Sequence, residues 1–412
     1  MTVSAGGVPP AGPSADLPAR PAAAPAGVRP LPSGRLGVGM VGYAFMGAAH
    51  SQAWRSVNRF FDVPFTIDMA AVVGRTEQSV TAAAGKLGWR TYETDWHALL
   101  DRDDIDIVDV CTPGDSHAEI AIAALDAGKH VICEKPLANS VAQAEAMTEA
   151  ATRAQARGIV AMVGFNYRRV PAIALARELT GAGMLGTVRH VRAQYLQDWI
   201  VDPDFPLTWR LQRERAGSGA LGDLGAHIVD AAQFIVGELL VGVSGLTETF
   251  IRDRPGGAVT VDDCALFLGR FGGGAVATFE ATRLATGRKN GLRLEINGSG
   301  GSLAFDLEEM NELRFYQYGE DPATAGFRRI LVTEPSHPYM DGWWPPGHLI
   351  GYEHTFTNQA RDFLSALGSG AAPSPSFADG LQVQRVLAAV EASAGNRSAW
   401  TSTGAPTGLE QS

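Results

Sequence analysis

The segment Leu36-Gly-Val-Gly-Met-Val-Gly42-Tyr-Ala44-Phe45-Met46-Gly47 constrains what this chain can fold into more than any other. It is an apolar run of strand length that enters a helix through a glycine turn, the arrangement that cradles a dinucleotide pyrophosphate. Such a turn asks for Gly first to reverse the backbone, Gly second for close phosphate approach, and Gly third for helix–strand packing. Gly42 and Gly47 fit the first and third positions. Ala44 takes the second, where one methyl group loosens phosphate contact without forbidding it. The helix that follows offers backbone N–H groups and its positive dipole end. Gly42, Ala44, Phe45, Met46 and Gly47 are therefore candidate cofactor-binding residues.

The context strengthens that reading. Apolar strands are expected at Leu36–Val41, Ile67–Val73, Ile107–Cys111, His130–Cys133 and Ile159–Val163. Helices are expected between them near Met46–Val57, Glu77–Leu87, His117–Ala127 and Val141–Ala156. This alternation predicts an α/β fold, a doubly wound parallel Rossmann sheet over residues 34–165. After about Arg168 the pattern changes. A helix at Ala172–Thr180 leads to a strand at Thr187–Leu196 and a glycine-rich helix start at Gly217–Gln233. Runs at Leu246–Phe250, Cys264–Phe271, Gly274–Ala281, Leu292–Asn297, Ser302–Asp306, Glu312–Tyr318 and Arg329–Thr333, several joined by glycine turns, predict a large, mostly antiparallel open sheet. Helices at Tyr352–Leu367 and Phe377–Ala394 complete an α+β substrate and oligomerisation domain over 166–398. An open sheet of that size needs a cover, so a homodimer or homotetramer is expected. Residues 1–33, rich in Pro and Ala, read as a disordered tail and not a secretory address, and 399–412 as a second tail.

Composition closes off other classes. The formal net charge is −10 with no basic run, which argues against a nucleic-acid partner. No apolar stretch approaches the roughly 20 residues of a membrane span. Cys111, Cys133 and Cys264 are too few and too scattered for a disulfide scaffold or zinc knuckle, and a reducing cytoplasm fits them. Asp262 and Asp263 have no His or Cys at ligand spacing, so no metal is assigned.

Ligands of such sheets lie outside the carboxyl ends of the strands. The second strand ends in Gly74-Arg75-Thr76, without the carboxylate that clasps the ribose of NAD. Arg75 suits the 2′-phosphate of NADP or stacking on adenine, so the choice between NAD and NADP stays open. Thr112 and Pro113 end the third strand and His117 opens the next helix, as candidate nicotinamide-side contacts. Glu134-Lys135-Pro136 ends the fourth strand and aims an ammonium group at the crevice, where it would stabilise a developing alkoxide. In Gly217-Ser-Gly-Ala-Leu-Gly-Asp223-Leu-Gly-Ala-His227, Asp223 and His227 stand four apart on one helical face. A carboxylate beside a histidine can orient the ring and favour its protonated form.

Taken in order, the glycine turn ending Gly47-Ala-Ala-His50, Thr112-Pro113 with His117, Glu134-Lys135-Pro136 and Asp223-Leu-Gly-Ala-His227 resemble the Gfo/Idh/MocA oxidoreductases over roughly Arg35 to Ala394. These are sugar and cyclitol dehydrogenases with a Rossmann domain and an α+β domain. The resemblance implies that Lys135, Asp223 and His227 form the catalytic set: Lys135 and Asp223 position the hydroxyl and tune the base, Asp223 orients His227 or Lys135, His227 accepts the proton, and Ala44 departs from the usual glycine. Asn166-Tyr167-Arg168-Arg169, Tyr195-Leu-Gln197-Asp198-Trp199, Pro206-Leu-Thr-Trp209-Arg210 and His337-Pro-Tyr339 look like the levoglucosan-dehydrogenase-like branch, whose members commonly oxidise C3 of a pyranose.

These segments also make sense as a sugar site. Trp199 and Trp209 suit the C–H faces of a pyranose, and Asn166, Arg168, Gln197, Asp198 and Arg210 suit its hydroxyls. The expected function is oxidation of a secondary ring hydroxyl of a pyranose, anhydrosugar or glycoside, or the reverse. The alternatives are inositol (cyclitol) dehydrogenation, redox-neutral NAD-dependent glycoside cleavage through a keto intermediate, and a non-catalytic sensor.

Overall fold

In the computed structural model, which describes residues 34–405, the first half of the chain alternates strand and helix as its apolar runs require. The elements are β1 (Arg35–Val41), α1 (Phe45–Phe60), β2 (Thr66–Val73), α2 (Glu77–Leu87), β3 (Thr91–Glu93), β4 (Ile107–Val110), α3 (His117–Asp126), β5 (His130–Cys133), α4 (Val141–Gln155) and β6 (Ala161–Val163). The strands form one six-stranded sheet in the order β3-β2-β1-β4-β5-β6. Its pairs are parallel throughout. Every residue of β4 and β5 is buried, as a sheet covered on both faces demands. The order reverses between β1 and β4, which opens the crevice at their carboxyl ends. β3 went unread in the sequence because Thr91–Glu93 is too short to show a period.

The second half holds α5 (Pro171–Gly181), β7 (Val188–Leu196), α6 (Arg213–Ala216), a π-helical turn (Leu221–Gly225) and α7 (Ala226–Val236). It continues through β8 (Leu240–Glu248), β9 (Asp253–Arg254), β10 (Gly257–Ala258), β11 (Cys264–Phe271), β12 (Val276–Thr282), β13 (Gly291–Gly298), β14 (Gly301–Asp306), β15 (Glu312–Gln317) and β16 (Arg328–Leu331). α8 (Tyr352–Ser369), α9 (Phe377–Gly395) and β17 (Thr401–Ser402) complete it. Nine strands form one sheet, β16-β15-β14-β13-β7-β12-β11-β8-β17. Its pairs are antiparallel except β12 with β7. β11 alternates buried and exposed residues, so Phe267 stacks on Phe279 inside, at 4.6 Å between centroids, while Leu266 and Leu268 face outward.

Two expectations change. The strand expected at Leu246–Phe250 starts earlier, at Leu240, because its buried residues lie in the Leu-Val-Gly-Val portion. The tail expected over 399–412 is in part sheet: Thr401 and Ser402 pair with Val243 and Gly242, and Trp400 lies against Gly242, whose missing side chain leaves room for the indole. The tail expected over 1–33 lies outside the described residues, as do 406–412.

The two last helices tie the sheets together. Phe356, Ala360, Phe363, Leu364 and Leu367 of α8 share one core with Val38, Trp54 and Val57 of the parallel-sheet half. Trp54 meets Phe363 edge-on at 6.3 Å. Among the described residues, no helix is long and apolar enough to cross a membrane.

Candidate active site

The glycine turn after β1 has the backbone its sequence asks for. Gly42 has φ +95°, and a Cβ there would come within 2.8 Å of the Cys111 carbonyl oxygen. Gly47 packs so closely on the Gly42 carbonyl that a side chain would collide with it. Ala44 is accommodated without strain: its φ is −70°, a conformation open to any L residue. It precedes a helix with no side-chain cap and no acidic residue in its first turn, so the N-terminal N–H groups of α1 are available to an anion. This cradle fits the pyrophosphate of a dinucleotide. Gly74 is held by the Tyr43 ring, which a side chain would strike, and Arg75 is exposed at the end of β2.

From that turn, a cavity of about 630 Å³ runs between the two sheets. Ala44, Phe45, Met46, Thr112, Pro113, His117, Glu134 and Lys135 line it from the parallel-sheet half. Asn166, Gln197, Trp199, Trp209, Arg210, Asp223 and His227 line it from the other. His117 spends both ring nitrogens on carbonyl oxygens, of Pro136 at 3.0 Å and Thr112 at 2.9 Å, and so straps the ends of β4 and β5 together. Asn166 donates to Thr355 Oγ1 at 2.9 Å.

Two expected substrate residues lie elsewhere. Arg168 is buried in an ion pair with Asp230, its Nη2 2.6 Å from Oδ1, and also reaches Asp379 and Ser374. A guanidinium so far from water takes the carboxylates packed against it. Asp198 accepts from Lys289 at 2.8 Å and from the Gly287 N–H at 3.1 Å, which turns it away from the cavity. His337-Pro-Tyr339 is likewise remote, with the Tyr339 hydroxyl donating to Asp362.

Of the two partners expected for Asp223, His227 and Lys135, its carboxylate takes Lys135. Asp223 sits in the π-helical turn, where a wider coil replaces the four-residue spacing that would stack the two side chains. Its carboxylate goes instead to two cations. Lys135 Nζ donates to Oδ1 at 3.2 Å and to the Asp223 carbonyl at 2.9 Å, and Arg283 Nη2 donates to Oδ2 at 3.0 Å. Burial alone would raise the carboxyl group, but Lys135, Arg283 and Arg210 outweigh it and hold Asp223 well below the usual carboxylate range. His227 moves the other way. Burial first, then the charge of Lys135, push its imidazole well below 6.5 against a smaller pull from Asp223. Its Nδ1 is buried without a hydrogen-bond partner. The site thus pairs an ammonium donor with a neutral imidazole, the two groups needed to hold a hydroxyl and take its proton.

Sequence reasoning passed over Arg283 and Asn290 here. Arg283, just beyond β12, is 1% exposed and also bonds the carbonyls of Gly219 and Arg210. Nothing in the sequence separates it from its neighbours Arg288 and Arg293. Tyr195 donates to Asn290 Oδ1 at 2.7 Å, as does Gln197, and the Tyr195 and Tyr167 hydroxyls lie 2.8 Å apart. The Tyr167 ring rests 4.6 Å from that of His227. Asp262 and Asp263, read as a pair without ligand partners, serve the backbone. Asp262 accepts the N–H groups of Gly219 and Leu221, and Asp263 those of Phe250 and Ile251.

Comparison with known proteins agrees with this geometry. Residues 36–165 match the oxidoreductase family with an NAD-binding Rossmann fold, and residues 173–304 match the GFO/IDH/MocA C-terminal domain. Levoglucosan dehydrogenase of Pseudarthrobacter phenanthrenivorans is 42% identical over 88% of this chain and 97% of its own length. An oxidoreductase domain protein from Kribbella flavida superposes with a TM-score of 0.89 at 67% identity, over 90% of this chain and all of that one. A levoglucosan dehydrogenase in complex with NADH and levoglucosan superposes at 0.86 with 42% identity, over 89% of this chain and 99% of that one. A dinucleotide cradle, a lysine–aspartate–histidine cavity and likeness over 88% of the chain lead to one assignment: this chain belongs to the Gfo/Idh/MocA family of NAD-binding oxidoreductases.

Proposed function

We propose that this chain is a dehydrogenase that oxidises a secondary ring hydroxyl of a pyranose, anhydrosugar or glycoside, at C3, or runs the same reaction in reverse. The observation that carries the reading is the neutral, unpartnered His227 in one cavity with the Lys135 ammonium, opposite the pyrophosphate cradle. When bound, NAD supplies the hydride acceptor. Lys135 donates a hydrogen bond to the reacting oxygen and stabilises its developing negative charge. His227 takes the hydroxyl proton, and Asp223, held by Arg283, keeps the ammonium aimed. Trp199, Trp209 and the Tyr195–Asn290–Gln197 amide wall provide the apolar faces and fixed polar atoms a sugar ring needs. The 42% identity to a levoglucosan dehydrogenase supports the sugar class.

The test is reduced-nicotinamide absorbance with purified protein, NAD or NADP, and a panel of pyranoses, anhydrosugars, glycosides and inositols. Signal with the sugars supports the proposal, and the better cofactor defines what Arg75 does. Signal with inositols alone, or release of aglycone without net reduction of cofactor, would replace it with one of the two alternative reactions.

The proposal extends to assembly. The outer face of the nine-stranded sheet exposes Leu246, Leu266, Leu268 and Val276 beside charge pairs such as Arg192–Glu295 and Arg293–Asp306. Apolar residues rimmed by both signs of charge suit a second copy of the same face, hence a homodimer or, with a further interface, a homotetramer. A cytoplasmic location is proposed on the three free thiols at Cys111, Cys133 and Cys264.

A further inference from the structure

Beneath the cavity wall lies a buried chain of hydrogen bonds that the proton transfer above does not use. His50, on α1, directs Nδ1 to both oxygens of Asp109, each at 3.0 Å, and Nε2 to Glu134 Oε1 at 2.9 Å. Asp109 also accepts the Trp54 indole N–H at 2.7 Å and the Cys111 thiol at 3.4 Å. All three groups of the chain are nearly inaccessible, at 2% for His50, 0% for Asp109 and 4% for Glu134. Phe356 of α8 closes one side, its ring 5.3 Å from that of His50. His50, Asp109 and Cys111 bring possible metal ligands within 4.8 Å of one another, but hydrogen bonds already occupy the histidine nitrogen and the carboxylate.

The donors and acceptors fix where the protons are. Asp109 receives N–H groups from Trp54 and His50, which is the bonding of a carboxylate. Nε2 of His50 and Oε1 of Glu134 would oppose lone pair to lone pair unless one proton lies between them. The imidazole holds it: burial lowers its affinity, but the charge and hydrogen bond of Asp109 outweigh burial and raise His50 well above 6.5. Glu134 then accepts that N–H at Oε1, and its other oxygen accepts the Lys135 N–H at 3.2 Å, the bonding of a carboxylate. Gly164 leaves it room, since a Cβ there would come 2.9 Å from Oε1. Glu134 itself lines the cavity; burial raises Tyr167 and Tyr352 across the site and Cys133 behind it, and the Glu134 charge adds a smaller push in the same direction.

We propose that His50 is a positioning residue that holds Glu134 as a carboxylate in the cofactor wall, where its charge favours the cationic, oxidised nicotinamide over the neutral, reduced one. Among the described groups, Asp109, Cys111 and Glu134 face His50 from the sheet and Phe356 from α8. Glu134 bonds His50 and the Lys135 amide, and its charge reaches Cys111, Cys133, Tyr167 and Tyr352. The inference rests on the NAD-binding assignment and is independent of which sugar is oxidised.

The experiment measures dissociation constants of NAD+ and NADH for the full-length protein by calorimetry and NADH fluorescence. It compares wild type with E134Q and H50Q, each checked by its melting curve. E134Q keeps an amide oxygen to accept the His50 N–H and removes the charge, so it should weaken NAD+ relative to NADH by roughly tenfold. H50Q removes the imidazole that joins Asp109 to Glu134, and with it the hydrogen bond that holds Glu134 in the wall. The NAD+/NADH ratio should then shift the same way. An unchanged ratio in folded E134Q or in folded H50Q overturns the proposal, and H50N takes the place of H50Q if that variant does not fold. No sugar is used, so failure to find a substrate would count against the proposed reaction and leave this result standing.

Discussion

Two cations share the Asp223 carboxylate, and only one of them, Lys135, sits in a recognisable motif. Arg283 reaches it from beyond β12 and is as buried as any core residue. Removing the guanidinium forfeits a charge-assisted hydrogen bond of about 1.5–3 kcal/mol. Arg283→Met should therefore lower kcat roughly 10–100-fold with NADH binding unchanged, and Arg283→Lys should recover part of the loss. Steady-state kinetics beside an NADH titration reads both, and an unaltered kcat would mean that Lys135 holds Asp223 alone. His227 carries its own prediction. Burial and Lys135 keep its ring neutral, so its base form persists from alkaline pH down past 6.5. The pH profile of kcat/KM for oxidation should show no loss from this group above 6.5 and an acid limb only below it. A limb centred above 6.5 would contradict the assignment of His227 as a neutral base.

At the scale of elements, the π-helical turn is what the site depends on. The glycines of Gly217-Ser-Gly-Ala-Leu-Gly let the turn approach Asp262, whose oxygens take the N–H groups of Gly219 at 2.6 Å and Leu221 at 2.7 Å. Asp262→Asn weakens both bonds and offers an N–H where an acceptor is needed. It should cost about 1–3 kcal/mol of stability and depress kcat with it, because the same turn carries Asp223. Urea denaturation and turnover of one variant test the link; stability lost with kcat intact would separate the cap from the catalytic geometry. This turn explains why Asp223 bonds Lys135 and not, across four residues, His227. Sequence spacing assumes a regular helix, and a π turn breaks that assumption without any composition signature.

Over the whole molecule, burial on both faces of the parallel sheet has a pH consequence. His130 on β5 accepts the Val160 N–H at Nδ1, and burial pushes its imidazole down to about 4. Between about 4 and 6.5 the unfolded chain binds a proton that the folded one refuses. Stability is therefore full above 6.5 and falls as pH drops through that window, by up to about 3 kcal/mol from this residue. Urea midpoints at pH 7 and 4.5 should differ accordingly, with His130→Asn reducing the difference. The outward face of the nine-stranded sheet makes the other whole-molecule prediction. Leu268→Glu sets a charge in the middle of the proposed contact and should release monomers in light scattering, while a monomeric wild type would end the assembly proposal.

Strand and helix identities of both halves were legible in the amino-acid order, because apolar period and glycine turns are local and set by chain geometry. So were the cofactor turn, Lys135 and His227, which lie at strand ends or in a glycine-rich helix that the fold must bring to the crevice. The parts decided only in three dimensions are those whose partners are far apart in the chain. Arg283 meets Asp223, Arg168 leaves the cavity for Asp230 and Asp379, and His50 lies between Asp109 and Glu134. A buried charge goes to whichever opposite charge packing brings within reach, since leaving it unpaired costs more than any local preference supplies. That choice belongs to the packed interior, and no spacing along the chain records it.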